Sequence, residues 1–214
     1  GKGAHPKLLG DFARGEYKIL LGTQMIAKGL DFENVTLVGV INADSGLHFP
    51  DFRSREKTFQ LVYQVSGRSG RGEFPGRVVV QSWMPDDISI QCATRSDVKL
   101  FYNGELNDRD QLQYPPFSRM ISFGFQGRSR DAVIRLSERA AETFKNQKTI
   151  QLLGPAPAMI EKSHMGYHWK LVLKTSKADD PSGGTLRQAA AHVLQTTQDK
   201  YVRVTVDVDP YQIL

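Results

Sequence analysis

The stretch Gln64-Val-Ser-Gly-Arg-Ser-Gly-Arg71 decides how the rest of the chain is interpreted. It follows an apolar-patterned run at 57–63, Lys-Thr-Phe-Gln-Leu-Val-Tyr, whose spacing predicts a helix. If that helix continues through the motif, Gln64, Arg68 and Arg71 stand at i, i+4 and i+7 and project from one face. The two glycines of the motif would each weaken the helix by about 1 kcal/mol relative to alanine. We therefore expect the motif to need bare backbone close to another group.

Two guanidinium groups on one helical face suit the oxygens of a transferring phosphoryl group. The alternative is a basic surface helix that water alone solvates. Two glycines would weaken a surface helix that makes no contact, with no compensating gain. The pattern therefore favours a phosphate contact.

Length and composition set the class of protein. A chain of 214 residues can form one large or two modest domains, each with its own core. No run of about 18 apolar residues occurs, and the opening residues carry no apolar signal core. The single cysteine, Cys92, can form neither an internal disulfide nor a thiolate zinc site. The expected location is a reducing cytoplasm.

The net charge of +5 lies entirely in the second half of the chain. Residues 1–114 carry 14 basic and 14 acidic side chains, whereas residues 115–214 carry 14 basic and 9 acidic ones. A basic half joined to a neutral half indicates a polyanion contact on the basic half. Scattered, solvated lysines are the open alternative.

The first half alternates between predicted helices and strands, which is typical of an α/β layer with a parallel sheet. A helix is expected at 5–15 and another over 86–112. Apolar runs predict three short strands, at 17–21, 35–41 and 77–82.

Tyr114-Pro-Pro-Phe117 ends the first half, because proline excludes helix both at and before itself. Beyond it the predicted order is β-α-β-β-α-β, that of a ferredoxin-like domain. Its strands are expected at 120–125, 150–160, 168–173 and 202–208, with helices at 130–146 and 186–197. The predicted division is 1–84, a connecting helix at 85–114, and 115–214.

The pattern Gln-x-x-Gly-Arg-x-Gly-Arg resembles the last motif of superfamily-2 helicases. Residues 22–31, Gly-Thr-Gln-Met-Ile-Ala-Lys-Gly-Leu-Asp, resemble its companion motif. With Asp-Phe-Arg at 51–53 and Tyr-Pro-Pro-Phe at 114–117, essentially the whole chain resembles the bacterial replication-restart helicases. The resemblance implies part of a second RecA-like lobe followed by a C-terminal domain. It also implies ATP-driven 3′→5′ DNA unwinding at stalled forks and loading of primosome proteins.

Other motifs of that family are missing from these 214 residues. There is no Gly-x-x-x-x-Gly-Lys-[Ser/Thr] phosphate loop, no Asp-Glu-x-His metal motif and no cysteine cluster for the family's structural zinc. We expect a C-terminal fragment of a longer protein. ATP and Mg²⁺ would then be bound mainly by an absent first lobe, and the isolated fragment would have no ATPase activity.

The resemblance assigns roles around the nucleotide. Arg71 is the candidate arginine finger, Arg68 would contact or sense the γ-phosphate, and Gln64 would orient groups near the nucleotide. Asp31 would face the nucleotide or the coupling arginines, or else cap its own turn. Gly29 is expected to end a helix in left-handed geometry.

Thr23, Gln24 and Lys28 are the candidate DNA contacts of the first half. Thr23 follows a predicted strand and can cap a helix, which leaves backbone N–H groups free for a phosphate. An ordinary helix cap without a ligand is the alternative that the residues leave open. The helicase resemblance favours a contact with single-stranded DNA.

Residues 161–170 interleave basic and aromatic side chains around Met-Gly. Lys162 and Lys170 are candidate DNA contacts, with stacking from Tyr167 and Trp169. The alternative is that both aromatic side chains alternate into the core of a sheet. A non-enzymatic module that docks branched DNA or single-strand DNA-binding protein is the second function that the sequence supports.

The remaining polar candidates are assigned to structure. Asp-Phe-Arg at 51–53 and Glu56 are expected to hold the arginine helix through a salt bridge. Asp44 and His48 are interpreted as polar loop residues, because no second metal ligand stands at a usable spacing. His164 and His168 would form a metal pair only on a helix, and their segment predicts strand and turn. No metal site is predicted.

Overall fold

The computed structural model describes residues 4–23, 35–66 and 76–213. These residues form two compact units. The first contains the chain up to residue 49 together with 54–103, and the second contains 50–53 and everything from 104 onward.

The first unit is a small α/β layer. It contains the helices α1 (Ala4–Ala13), α2 (Ser54–Ser66), α3 (Ile88–Thr94) and the first part of α4 (Val98–Gln111), and the strands β1 (Leu37–Val40) and β2 (Arg77–Val80). The two strands are parallel, with Leu37 opposite Arg77. A 3₁₀ turn, Ala43–Gly46, follows β1. The parallel pairing agrees with the predicted α/β class.

The strand predicted at 17–21 is wrong. This segment is irregular, and both Ile19 and Leu21 are 84% exposed. A strand is stable only when its backbone N–H and C=O groups pair with a neighbouring strand. No described strand pairs with these residues, so the apolar run alone did not decide their structure.

The single helix predicted over 86–112 is also wrong. α3 ends at Thr94, Ser96 has a left-handed backbone with φ of 58°, and α4 begins at Val98. Side chains cap both helices: Asp87 accepts a hydrogen bond from Ser89 N at 2.9 Å, and Asp97 accepts one from Leu100 N at 2.9 Å. The break therefore separates two helices, each with its own N-terminal cap.

The second unit has the predicted element order. It consists of β3 (Ser118–Gly127), α5 (Arg130–Glu142), β4 (Gln151–Ser163), β5 (Gly166–Ser176), α6 (Gly184–Thr196) and β6 (Val202–Val208). The four strands form one antiparallel sheet in the order β4-β5-β3-β6.

One face of this sheet carries the core. Phe123, Phe125, Leu171 and Leu173 on the two central strands are buried against α5 and α6, which contribute residues such as Val133 and Val193. Side chains alternate across a strand, so the intervening residues lie on the opposite face.

That opposite face has two parts. At one end Met120, Val172 and Ile213 are buried, with Phe52 and Tyr114 packed against them. We call the other end the open face; its residues follow from the strand register. They are Gly124, Gln126, His168, Lys170, Arg203 and Thr205. No described helix is long and apolar enough to cross a membrane.

Candidate functional site

The packing of α2 turns the first residue of the arginine motif toward solvent. Phe59 and Val62 of α2 are buried, and the Phe59 ring stacks on Phe101 with centroids 4.1 Å apart. Gln64 lies on the same helix and is exposed. The structure describes residues up to Ser66 and again from residue 76, so Arg68 and Arg71 lie outside the described residues and their shared helical face stays a prediction.

The companion motif is described only at its start. Thr23 is exposed and lies in an irregular segment. Gln24, Lys28, Gly29 and Asp31 lie outside the described residues. The predicted DNA and nucleotide contacts of this motif therefore stay predictions.

Asp44 occupies the edge at which parallel sheets of this class bind ligands, just beyond the carboxyl end of β1. Its carboxylate is fully buried and accepts hydrogen bonds from Ser82 Oγ at 2.5 Å, Trp83 N at 2.7 Å and Met84 N at 3.2 Å. Ser82 follows the carboxyl end of β2. Asp44 therefore ties together the segments that leave the two strands.

This hydrogen bonding sets the charge state of Asp44. The Ser82 hydroxyl is the main group that lowers the pKa of Asp44; burial opposes the shift, and the N–H groups of Trp83 and Met84 reinforce it. The sequence predicted Asp44 to be a polar residue of the loop between the motifs, and it does lie in the connection after β1. The sequence did not predict that its carboxylate is buried.

The segment 50–53 belongs to the second unit, although it precedes α2 in sequence. Asp51 Oδ1 accepts a hydrogen bond from Arg53 N at 2.8 Å. The Arg53 guanidinium donates to the carbonyl oxygens of Pro210 at 3.2 Å and Tyr211 at 3.0 Å. It also lies over the rings of Phe52 and Tyr211, at 4.8 and 5.0 Å from their centroids.

The expected structural role of Arg53 is thus carried by backbone carbonyls and aromatic rings of the second unit. Sequence reasoning placed this arginine in a salt bridge that holds the following helix. Its contacts with Pro210 and Tyr211 span most of the chain, so no local signal could have found them.

Lys174 is a second structural cation that sequence reasoning missed. It is 3% exposed, its Nζ donates to Leu112 O at 2.8 Å, and it lies 4.2 Å from the centroid of the Tyr114 ring. Burial lowers the pKa of Lys174. A lysine in an apolar strand was the available signal, since such a position needs a polar partner.

The two candidate DNA lysines of the second unit lie on different faces of the sheet. Lys162 is exposed, pairs across the strands with Tyr167 and lies 5.2 Å from its ring centroid. Lys170 belongs to the open face. Burial lowers the pKa of Lys170, whereas the charges of Asp207 and Asp51 oppose that shift.

The aromatic side chains of this segment belong to the core. Trp169 is 5% exposed and pairs with Phe125, and Tyr167 packs against the same cluster. Arg130 covers Trp169 at 5.1 Å and pairs with Glu161 at 2.8 Å. The core alternative left open by the sequence is therefore the correct one for Trp169.

The described residues contain no group of three or more His, Cys, Asp or Glu side chains that could hold a metal ion. His168 Nε2 lies 2.7 Å from Ser163 Oγ in the β4–β5 hairpin, and His164 is exposed. Cys92 is buried, and burial raises the pKa of its thiol.

Two protein-family models match the chain. The one described as the helicase conserved C-terminal domain covers residues 3–73, and the one described as the primosomal protein N C-terminal domain covers residues 110–211.

The chain is similar to proteins from several bacteria that are named replication restart protein PriA. That of Bacillus subtilis (strain 168) is 41% identical over 217 residues, which is 100% of this chain and 27% of that protein. Those of Synechocystis sp. and Chlamydia pneumoniae are 43% and 37% identical, over 81% and 98% of this chain and 21% and 28% of their own lengths. The chain belongs to the PriA family.

The chain spans about a quarter of the length of the PriA proteins it matches. The helicase match includes both motif segments, 22–31 and 64–71, and the primosomal match covers most of the second unit. A solved amidase structure from Burkholderia ambifaria covers 42% of this chain and 27% of its own at 13% identity, with a TM-score of 0.26. A similarity that low carries no argument.

Proposed function

We propose that this chain supplies the arginine-motif half of the ATP site in an ATP-dependent replication-restart DNA helicase, together with part of its DNA contacts. Membership in the PriA family and the helicase match over residues 3–73 support the class. The observation that carries the proposal is the exposure of Gln64 on a helix whose opposite side is held by Phe59 and Val62.

The proposed fold follows from the same matches. The parallel pair β1–β2 within the helicase region supports a RecA-like lobe. The strand order β4-β5-β3-β6 and the β-α-β-β-α-β sequence support a ferredoxin-like second domain.

Arg71 acts as the arginine finger in this proposal. Its guanidinium neutralises charge that develops on the γ-phosphoryl oxygens, Arg68 contacts the γ-phosphate, and Gln64 orients groups beside the nucleotide. Asp31 and Gly29 lie near the nucleotide. ATP and its Mg²⁺ bind on another lobe, since these 214 residues contain no phosphate loop.

An arginine contact that exists only while the γ-phosphate is present ties closure of two lobes to hydrolysis. Thr23, Gln24 and Lys28 contact the DNA backbone in this proposal. Closure of the two lobes therefore shifts the position on the DNA strand at which these residues bind. Repeated cycles then translocate the protein in the 3′→5′ direction.

The division of labour is tested by the purified 214-residue chain. It should hydrolyse no ATP, with or without single-stranded DNA, because the groups that bind the phosphates and Mg²⁺ are supplied by another lobe. DNA-stimulated turnover by this chain, free of contaminating ATPase, would contradict the proposal.

A docking module is the second candidate function. The whole net charge of +5 lies in residues 115–214, which favours a polyanionic partner for the second unit. Lys162 and Lys170 contact DNA in this proposal, and single-strand DNA-binding protein and primosome proteins are the proposed protein partners. Removal of 115–214 from a full-length family member should weaken forked-DNA binding most strongly at low salt. Unchanged affinity would rule out this role.

A further inference from the structure

A basic hollow of about 370 Å³ lies where β3 ends and β6 begins. Gln126 pairs with Arg203 and Gly127 with Val202 in the antiparallel register. Arg128 directly follows β3, and Lys200 and Tyr201 directly precede β6. The pairing therefore brings Arg128 close to Lys200 and Arg203, which lie far beyond it in the sequence. The basic hollow is defined by Arg128, Lys200, Tyr201 and Arg203, with Asp199 and Met165 among its other lining residues.

Basic side chains outnumber carboxylates three to one among the residues that line this hollow. None of Arg128, Lys200 and Arg203 forms an ion pair with a carboxylate in the part of the chain that the structure describes. Asp199 also lines the hollow, but its Oδ1 accepts hydrogen bonds from Tyr201 N at 2.7 Å and Val202 N at 3.0 Å. The Asp199 carboxylate thus bonds backbone N–H groups of its own segment and not one of the three cations.

Arg130 shows what a structural arginine looks like in this region. It lies two residues beyond Arg128, pairs with Glu161 at 2.8 Å and covers the Trp169 ring at 5.1 Å. Arg128 has neither kind of partner among the described residues. Three cations without a carboxylate partner among the described residues, gathered around one depression, suit an anion better than a packing role.

An exposed aromatic ring stands beside these cations. Tyr201 is 74% exposed, and Lys200 Nζ lies 5.8 Å from its ring centroid. Proteins that bind single-stranded nucleic acid typically combine two features. Basic side chains contact the phosphates of the nucleic-acid backbone, and an aromatic ring stacks on a base. The hollow is shallow and opens beside Gln126 and Arg203 of the open face, which suits an extended polymer.

We propose that the basic hollow binds a DNA single strand, with Arg128, Lys200 and Arg203 contacting phosphates and Tyr201 stacking on a base. The proposal rests on the proposed DNA-acting function and adds a location to it. Lys170 lies on the same open face, where the charges of Asp207 and Asp51 offset its own.

The test uses the full 214-residue chain and a fluorescently labelled oligo-dT of about 15 nucleotides, followed by anisotropy. The triple variant Arg128→Ala, Lys200→Ala, Arg203→Ala should bind at least about tenfold more weakly near 50 mM salt. Its plot of log affinity against log salt should be flatter by about 2, since each lost phosphate contact on a single strand contributes about 0.7.

A matched control removes the same charge elsewhere. Arg135→Ala, Arg139→Ala, Lys177→Ala changes three exposed cations that do not line the hollow, and its salt slope should equal that of the wild type. Tyr201→Ala should lower affinity about fivefold or more without a change in slope, whereas Tyr201→Phe should retain affinity. Thermal melts confirm that each variant is folded.

Three results would overturn the proposal in different ways. Equal losses in the two triple variants would place the strand elsewhere and leave the proposed function intact. A wild-type chain that binds no oligo-dT would remove the DNA role of the second unit itself. An oligo-glutamate of equal charge that binds as tightly as oligo-dT, with no effect of Tyr201→Ala, would identify the hollow as a site for acidic proteins.

Discussion

At the scale of single residues, Asp44 and Gln64 of the first unit have opposite roles. Asp44 is buried and its oxygens are bonded to Ser82, Trp83 and Met84, whereas Gln64 is exposed on α2. The Asp44 side chain is fully buried and three donors of the protein already bond its carboxylate, so it is closed to an outside ligand. Asp44 therefore shapes the edge of the sheet, and Gln64 remains available for the proposed nucleotide.

The pH dependence of stability tests the role of Asp44. Its pKa is lowered in the folded protein, so its stabilising effect is present above the unfolded pKa of about 3.9 and is lost as pH falls through the folded pKa. Asp44→Asn should melt below the wild type at pH 6, and the gap should narrow below about pH 4. The exposed Asp110→Asn should not show this narrowing. A constant gap from pH 6 to pH 3 would contradict the assignment.

At the scale of elements, the break between α3 and α4 decides the path of the chain. Ser96 has a φ of 58°, a region in which glycine is the least strained residue. Ser96→Gly should therefore be more stable than Ser96→Ala by about 1 kcal/mol in denaturant unfolding. A continuous helix would reverse the order by about the same amount, because alanine is the better helix former. The sign of the difference distinguishes the two structures.

The segment 50–53 belongs to the second unit because of the contacts that it makes there, chiefly those of Arg53. Arg53 bonds two carbonyls and lies over two rings, so Arg53→Ala should cost the second unit about 2 kcal/mol of stability. Arg53→Lys should recover only part of it, since an ammonium group lacks the planar fork of a guanidinium. The exposed Arg135→Ala provides the control. Equal melting of Arg53→Ala and wild type would remove this anchor.

At the scale of the whole molecule, the periodicity of apolar residues predicted most of the helices and strands, which depend on neighbouring residues in the sequence. The β-α-β-β-α-β order follows from alternation and helical spacing within each segment. The burial of Trp169 depends on its pairing with Phe125, and the basic hollow depends on the pairing of β3 with β6. Such pairings join distant segments, so residue patterns alone left them open.

The helicase motifs could be recognised from the sequence because each lies in one continuous stretch and needs no pairing with a distant segment. The two arginines of 64–71 are an example. The segment 17–21 shows the limit of that reasoning, because its apolar pattern has no strand to pair with among the described residues.

Single-turnover ATP hydrolysis by a full-length family member tests the central claim most directly. Arg71→Ala should slow the chemical step about a thousandfold or more, with nucleotide binding retained, because the finger acts on charge that develops in the transition state. The exposed Arg95→Ala should hydrolyse ATP at the wild-type rate. An Arg71→Ala enzyme that also hydrolyses ATP at the wild-type rate would contradict the claim.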